Sequence, residues 1–164
     1  MVIVDTDIFI LEFRFQRDHR YSINNQFLST IKATGGGITI YSVMEFLGKM
    51  SFNVNPDRLV DWRSWLQDAY NLTIIWPEVR GIDADGFIRY LLFNRPFERM
   101  CRTPIAFVDC LILDLAEQVE EAQTLITWNA KHFMGKTSLA VKTPQEYLTS
   151  IETSHRYGDK GIPF

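Results

Sequence analysis

Five short apolar runs punctuate this chain: MVIV from Met1, ITIYS from Ile38, LTIIW from Leu72, TLIT from Thr124 and LAVKT from Leu139. Each has the length of a strand, and ITIYS is rich in β-branched residues. Longer stretches with helical spacing separate them. In PDRLVDWRSWLQDA, for example, Leu59, Trp62, Trp65 and Leu66 share a face. Strands alternating with helices predict a parallel sheet covered on both sides. The expected fold is therefore α/β: a three-layer α/β/α sandwich around a central, mainly parallel five-stranded sheet. With 164 residues, 46% of them apolar, the chain can fill one such core. The expected division is one domain over residues 1–150 and an irregular tail over 151–164, where periodicity is lost.

Between the strands, IFILEFRFQR alternates as a strand would. A helix opened by Thr6 or Asp7 is favoured, because NNQFLSTIKATGGG then reads as a second helix stopped by glycines. VMEFLGKM follows the second strand directly as a helix. ADGFIRYLLFNRPFERM is helical until Pro96 disturbs it. TPIAFVDCLILDLAEQVE is the clearest helix, with Thr103 as N-cap and Pro104 in first position, and PQEYLTSI closes the domain.

Composition excludes several classes. The net charge is −3 and the isoelectric point about 5.6, so a polyanionic partner would need a local basic patch. Cys101 and Cys110 lack CxxC spacing and imply no disulfide framework. Asp5 and Asp7 interrupt the first apolar run and no basic segment precedes it, which argues against a signal peptide or a membrane span. The expected setting is soluble, reducing and cytoplasmic.

Parallel sheets place their sites at the carboxyl ends of the strands. Asp5 follows the first strand, Glu45 comes soon after the second, and Asn129 lies just beyond the fourth, past Thr127. Each has a plainer reading. Asp7 is first of all a helix cap. Ser42-Val-Met-Glu45 matches a capping box, so Glu45 divides evenly between cap and site. Thr127, Asn129 and His132 fit an Asn turn opening a helix. Asp109 is harder to explain that way. It stands between IAFV and CLIL, with Ile105 and Leu113 one turn away, and no Lys or Arg lies between Thr103 and Thr127. A buried carboxylate there costs several kcal/mol unless a cation from elsewhere pairs with it or its side chain reaches a cavity mouth. Asp114, about 140° round the helix, is expected to face water. Three carboxylates with Asn or Thr oxygens make a site for Mg2+ or Mn2+ rather than zinc. Such a site activates water and stabilises charge on a phosphodiester.

These pieces, IVDTDIFI, ITIYSVMEFLGKM, TPIAFVDCLILDLAE, LITWNAKHF and LAVKTPQEYL, occur over residues 1–150 in an order that resembles PIN-domain proteins, especially compact ribonuclease toxins of the VapC type. The resemblance implies a metal-dependent endoribonuclease. By position, Asp5, Glu45 and Asp109 would be the three acids that hold Mg2+ or Mn2+. Asn129 occupies a fourth position that is often Asp, where it would orient water or substrate. Thr127 matches a residue that lines such sites. His132 replaces a further Asp, and Asp7 stands where Asn or Ser is commoner. The lower negative charge at 129 and 132 favours one metal over two. The resemblance also implies RNA as substrate, a homodimer and a small cognate antitoxin, with no membrane partner.

RNA needs positive charge near an acidic site. Arg95, Arg99 and Arg102, at roughly one-turn spacing before the Asp109 helix, and Lys131 after Asn129 are the expected phosphate contacts, with a solvated basic face as the plainer reading. Trp62 and Trp65 are expected in the core. Two rival readings stay open. In a haloacid-dehalogenase-like phosphatase, Asp5 would be the nucleophile and Asp7 the acid, although the late Gly158-Asp159 pair follows no strand. Alternatively, a degenerate PIN domain would serve only as a binding module.

Overall fold

Val2–Val4 forms the first strand, β1, and the other four apolar runs complete the sheet in the computed structural model, which describes residues 1–78, 81 and 83–158. The remaining strands are β2 (Gly36–Thr39), β3 (Leu72–Ile75), β4 (Thr124–Ile126) and β5 (Ala140–Lys142). All pairings are parallel, in the order β3-β2-β1-β4-β5. The helices are α1 (Thr6–Arg14), α2 (Tyr21–Thr34), α3 (Ile40–Met50), α4 (Pro56–Tyr70), α5 (Ala84–Arg89), α6 (Arg95–Arg102), α7 (Phe107–Ala116), α8 (Ala130–Phe133) and α9 (Pro144–Gly158). They flank the sheet as a three-layer α/β/α sandwich. None of the described helices is long and apolar enough to cross a membrane.

Strand order positions the site. From β1 the chain goes to one side for β2 and β3, then returns to the other side for β4 and β5. The switch point lies between β1 and β4, where Ile3 pairs with Leu125 and Val4 with Ile126. On the other flank of β1, Ile3 pairs with Gly37. A Cβ at Gly37 would come within 3.0 Å of Ile75 and 3.1 Å of Ile3, so a side chain there would push neighbouring core groups apart. This is why the GGG run does not simply end α2. Gly35, at φ 79°, ends it, and the next two glycines belong to β2.

Several boundaries differ from the expectation, each for a local reason. Asp5, not Thr6 or Asp7, caps α1. The second strand ends at Thr39, whose hydroxyl accepts from Ser42 N at 3.1 Å and starts α3 at Ile40. Ser42 is therefore inside the helix, and the expected Ser42–Glu45 capping box does not form. Pro104 disfavours helical backbone at Thr103, which sits at φ −146°, ψ 130° and closes α6; α7 begins only at Phe107. Pro96 is tolerated in the first turn of α6 because a π turn (Tyr90–Asn94) precedes it, with Arg95 N bonded to Tyr90 O. Thr143 and Glu146 do form a reciprocal capping box, at 2.7 and 3.2 Å, and α9 then runs to Gly158. The expected tail is thus helical through residue 158, and 159–164 lie outside the described residues.

The core centres on Phe9, Phe27, Phe46, Ile112 and Leu113, all fully buried. Phe13, Phe46 and Trp62 pack edge-on or tilted at 5.3–5.7 Å and lock α1, α3 and α4 together. Trp62 is partly buried in this cluster, whereas Trp65 contacts Phe13 and remains 43% exposed.

Candidate functional site

Asp5 is fixed where β1 ends. Its N–H donates to Ile126 O at 3.0 Å, and its carboxylate accepts from Thr6 N at 2.7 Å. It is only 6% exposed. Burial, with added repulsion from Asp7 and Glu45, pushes its pKa up to about 8 against the hydrogen bonds from Thr127 and Thr6.

Asp7 is not the helix cap. One residue inside α1, its Oδ2 accepts from Thr127 Oγ1 at 2.8 Å and from Asn129 N at 3.1 Å. Its Oδ1 is buried and has no hydrogen-bond partner among the described residues. Burial raises its pKa, while Thr127, the 128–129 backbone and Arg20 pull the other way. Asp7 therefore tethers the exit of β4 to α1 and keeps one buried oxygen without a partner among the described residues.

Glu45 is in the second turn of α3, held by Lys49 Nζ at 2.7 Å across a half-exposed surface pair. Its charge reaches both Asp5 and Asp109 and raises the pKa of each. Asp109, in the first turn of α7, has 23% side-chain exposure and so reaches the mouth of the pit. Its hydrogen-bond partner is His132 of α8, whose Nε2 lies 3.0 Å from Asp109 Oδ2. Burial raises the Asp109 pKa and His132 opposes the rise. Thr127 is fully buried beside Asp5 and Asp7, whereas Asn129 is exposed and gives the site its backbone N–H.

The fold thus gathers Asp5, Glu45, Asp109 and Thr127, and adds Asp7 to them. As they stand, no three His, Cys, Asp or Glu side chains among the described residues converge closely enough to hold a metal ion. The donors themselves are nevertheless carboxylate oxygens with one buried oxygen of Asp7 left without a partner among the described residues, a type of donor that suits a hard divalent cation.

Of the expected basic residues, Arg99 is engaged inside the fold. Arg99 is 14% exposed and fully committed: Nε donates to Asp114 Oδ1 at 2.7 Å, Nη1 to Lys136 O at 2.7 Å, and Nη2 to Glu117. It is a structural cross-link rather than a phosphate contact. Its partner Asp114 is buried instead of facing water, because Arg99 lies over it. Arg95 stacks on Tyr90 at 5.6 Å, and Arg102 and Lys131 are exposed.

Sequence reasoning missed a second group beside the site. Trp128 Nε1 donates to Asn24 Oδ1 at 2.8 Å, and Asn24 Nδ2 donates to Ile8 O and Glu12 Oε2, both at 3.1 Å. Arg20 lies over the Trp128 ring at 5.5 Å. The available signal was Asn24, a polar residue one turn before Phe27 and Leu28 on the core face of α2.

In comparison with known proteins, no family model matches the chain, and no curated protein matches it. The reading rests on the site itself. A nucleophilic role for Asp5 fits that site poorly, since the carboxyl is buried, caps α1 and has its pKa at about 8. Asp159, the other residue that reading needed, lies outside the described residues.

Proposed function

We propose that this protein is a Mg2+- or Mn2+-dependent endoribonuclease of the PIN type that hydrolyses RNA phosphodiester bonds. The observation that carries the reading is the crowding of Asp5, Asp7, Glu45 and Asp109 at the switch point, with an unpartnered buried oxygen on Asp7. Such a group of like charges is held together at neutral pH by protons or by a cation. Asp5, Glu45 and Asp109 would hold the ion, with Asp7 beside them. A divalent cation there supplies a Lewis acid for the phosphodiester. The chain's own side chains do the rest. Thr127 fixes Asp7, His132 holds Asp109 at the mouth, and Asn129 faces the incoming strand. Mn2+-dependent cleavage of structured RNAs by the wild type and by Asp5→Asn tests this. Cleavage should disappear in the variant, and equal cleavage by both proteins sinks the proposal.

The same resemblance supports a cytoplasmic toxin paired with an antitoxin, and a homodimer. The exposed apolar side chains of α5, the π turn and α6 add a surface suited to a protein partner.

One observation favours a second reading, a binding module without catalysis: Glu45 and Asp109 already have partners in Lys49 and His132. Metal titration separates the two. A catalytic site predicts that Mn2+ raises the melting temperature of the wild type but not of Asp109→Asn. A binding module predicts no rise in either.

A further inference from the structure

A pit of four carboxylates repels RNA, so a strand reaching it needs a cation fixed at the rim. Among the expected arginines, Arg99 does not supply one, since it is spent inside the fold. The connection between α1 and α2 does. Residues 14–20, RFQRDHR, carry Arg14, Arg17 and Arg20 against a single acid, Asp18. This is a local basic patch that the overall charge of −3 conceals.

We infer that Arg20, pinned by Asp18 and stacked on Trp128, is a phosphate-binding residue that positions single-stranded RNA over the carboxylate site. The inference rests on the nuclease reading above and adds to it where the substrate backbone is held. Arg20 Nε donates to Asp18 Oδ1 at 2.9 Å and Nη2 to Asp18 Oδ2 at 2.7 Å. A guanidinium has five N–H donors. Asp18 takes two, along one edge. Nη1 and the second hydrogen of Nη2 have no partner among the described residues, and together they form another fork of the kind that grips a phosphate. The side chain is 40% exposed, so that fork can be reached.

The plane of the fork is fixed before any ligand arrives. Trp128 supports the guanidinium from below at 5.5 Å, and Asn24 holds the indole. Trp128 lies between Thr127 and Asn129, both bonded to Asp7, so the ring and the acidic site move as one piece. The Arg20 charge is also felt by the Asp7 carboxyl, which places the two groups near each other. A phosphate on Arg20 therefore costs little side-chain ordering and lies next to the pit.

The test is binding of a short labelled single-stranded RNA to the full chain in EDTA, by fluorescence anisotropy over a KCl series. Losing one phosphate contact lowers the slope of log affinity against log salt by about 0.7 for a single strand. Arg20→Gln should show that loss and a several-fold weaker affinity. Arg20→Lys should keep the slope but not the full affinity, since it has charge without the fork. Asp18→Asn should keep the slope, because the cation stays, and lose part of the affinity, because the fork is no longer pinned. With Mn2+ present, Arg20→Gln should raise KM and leave kcat nearly unchanged. An unchanged slope and KM in Arg20→Gln overturn the inference while leaving the nuclease reading standing. Equal losses in Asp18→Asn and Arg20→Gln also overturn it, by making Arg20 only a brace for its turn. A wild type that neither binds nor cleaves RNA removes the nuclease reading and this inference together. Binding without cleavage, with the Arg20→Gln slope lowered, removes catalysis and supports the phosphate contact.

Discussion

Asp5 is the residue at which fold and function oppose each other most directly. Its pKa, raised from 3.8 to about 8 chiefly by burial, means that the folded chain holds a proton there that the unfolded chain has lost. Between about pH 4 and pH 8 the native state binds more protons than the unfolded state, so stability falls as pH rises through that window, by at most about 1.4 kcal/mol per unit for this group. Asp7 and Asp109 are shifted the same way and add to the slope. In EDTA the melting temperature should therefore drop from pH 5 to pH 8. Asp5→Asn should flatten the drop and raise the melting temperature at pH 8, while abolishing cleavage. A profile in which wild type and variant run parallel would remove Asp5 as the strained group. Arg99 gives the opposite case, a charge spent on structure. Arg99→Ala strands the buried Asp114 and should lower stability by about 3 kcal/mol in urea unfolding, whereas the exposed Arg102→Ala should change it little. If the two variants unfold alike, the cross-link is not what holds α6 to α7. Neither case could be read fully from the chain. The apolar run around Asp109 showed that it needed a partner, but His132 lies 23 residues away and only the fold brings it near. Asp7 was misread because its role depends on which residue caps α1, and a single hydrogen bond from Thr6 N to the Asp5 carboxylate decides that.

At the scale of elements, the alternation of apolar runs and helical stretches was enough for the strands and their parallel sense, and it is what led to the expectation that Asp5, Glu45 and Asn129 share one edge. It could not place helix starts, because each start turns on one residue's local chemistry. ITIYS has the composition of a strand to its end, yet Thr39 captures Ser42 N and the chain turns helical at Ile40. That early turn sets the position of Glu45 within α3. Thr39→Ala should therefore do two things: cost about 1 kcal/mol through the lost cap, and weaken the apparent Mn2+ affinity as the first turn frays. Thermal unfolding and metal titration of the same variant check both, and a loss of stability with unchanged metal binding would separate the cap from the site. The start of α7 follows the same logic. Thr103-Pro104 looks like a helix opening, but a proline restrains the residue before it as well as itself, so the segment extends and Asp109 falls in the first turn rather than mid-helix. The displacement puts Asp109 near the pit instead of in the core.

Across the whole molecule, surface chemistry is divided. An acidic pit and the basic α1–α2 connection lie together, while a separate apolar arm is built from α5, the π turn and α6. Neither α5 nor the π turn contains a buried residue. Phe93 and Phe97 are 63% and 51% exposed and stack on each other at 5.4 Å, with Ile88 and Leu92 exposed beside them. Isolated apolar side chains on a surface are ordinary, but a contiguous aromatic and aliphatic ridge on a protein of 164 residues is the kind of surface with which proteins meet one another. Such a ridge contributes little to the stability of the single chain, so its loss should be tolerated by the fold and felt by the assembly. Replacing Phe93 and Phe97 together by Ser should leave the melting temperature within a few degrees of the wild type. Light scattering coupled to gel filtration should show the wild type as a dimer or larger species and the double variant as a monomer. If the wild type is already a monomer at micromolar concentration, self-association is excluded and the ridge is left for a different protein. In that case co-expression with the product of the neighbouring reading frame should give a complex that the double variant fails to form.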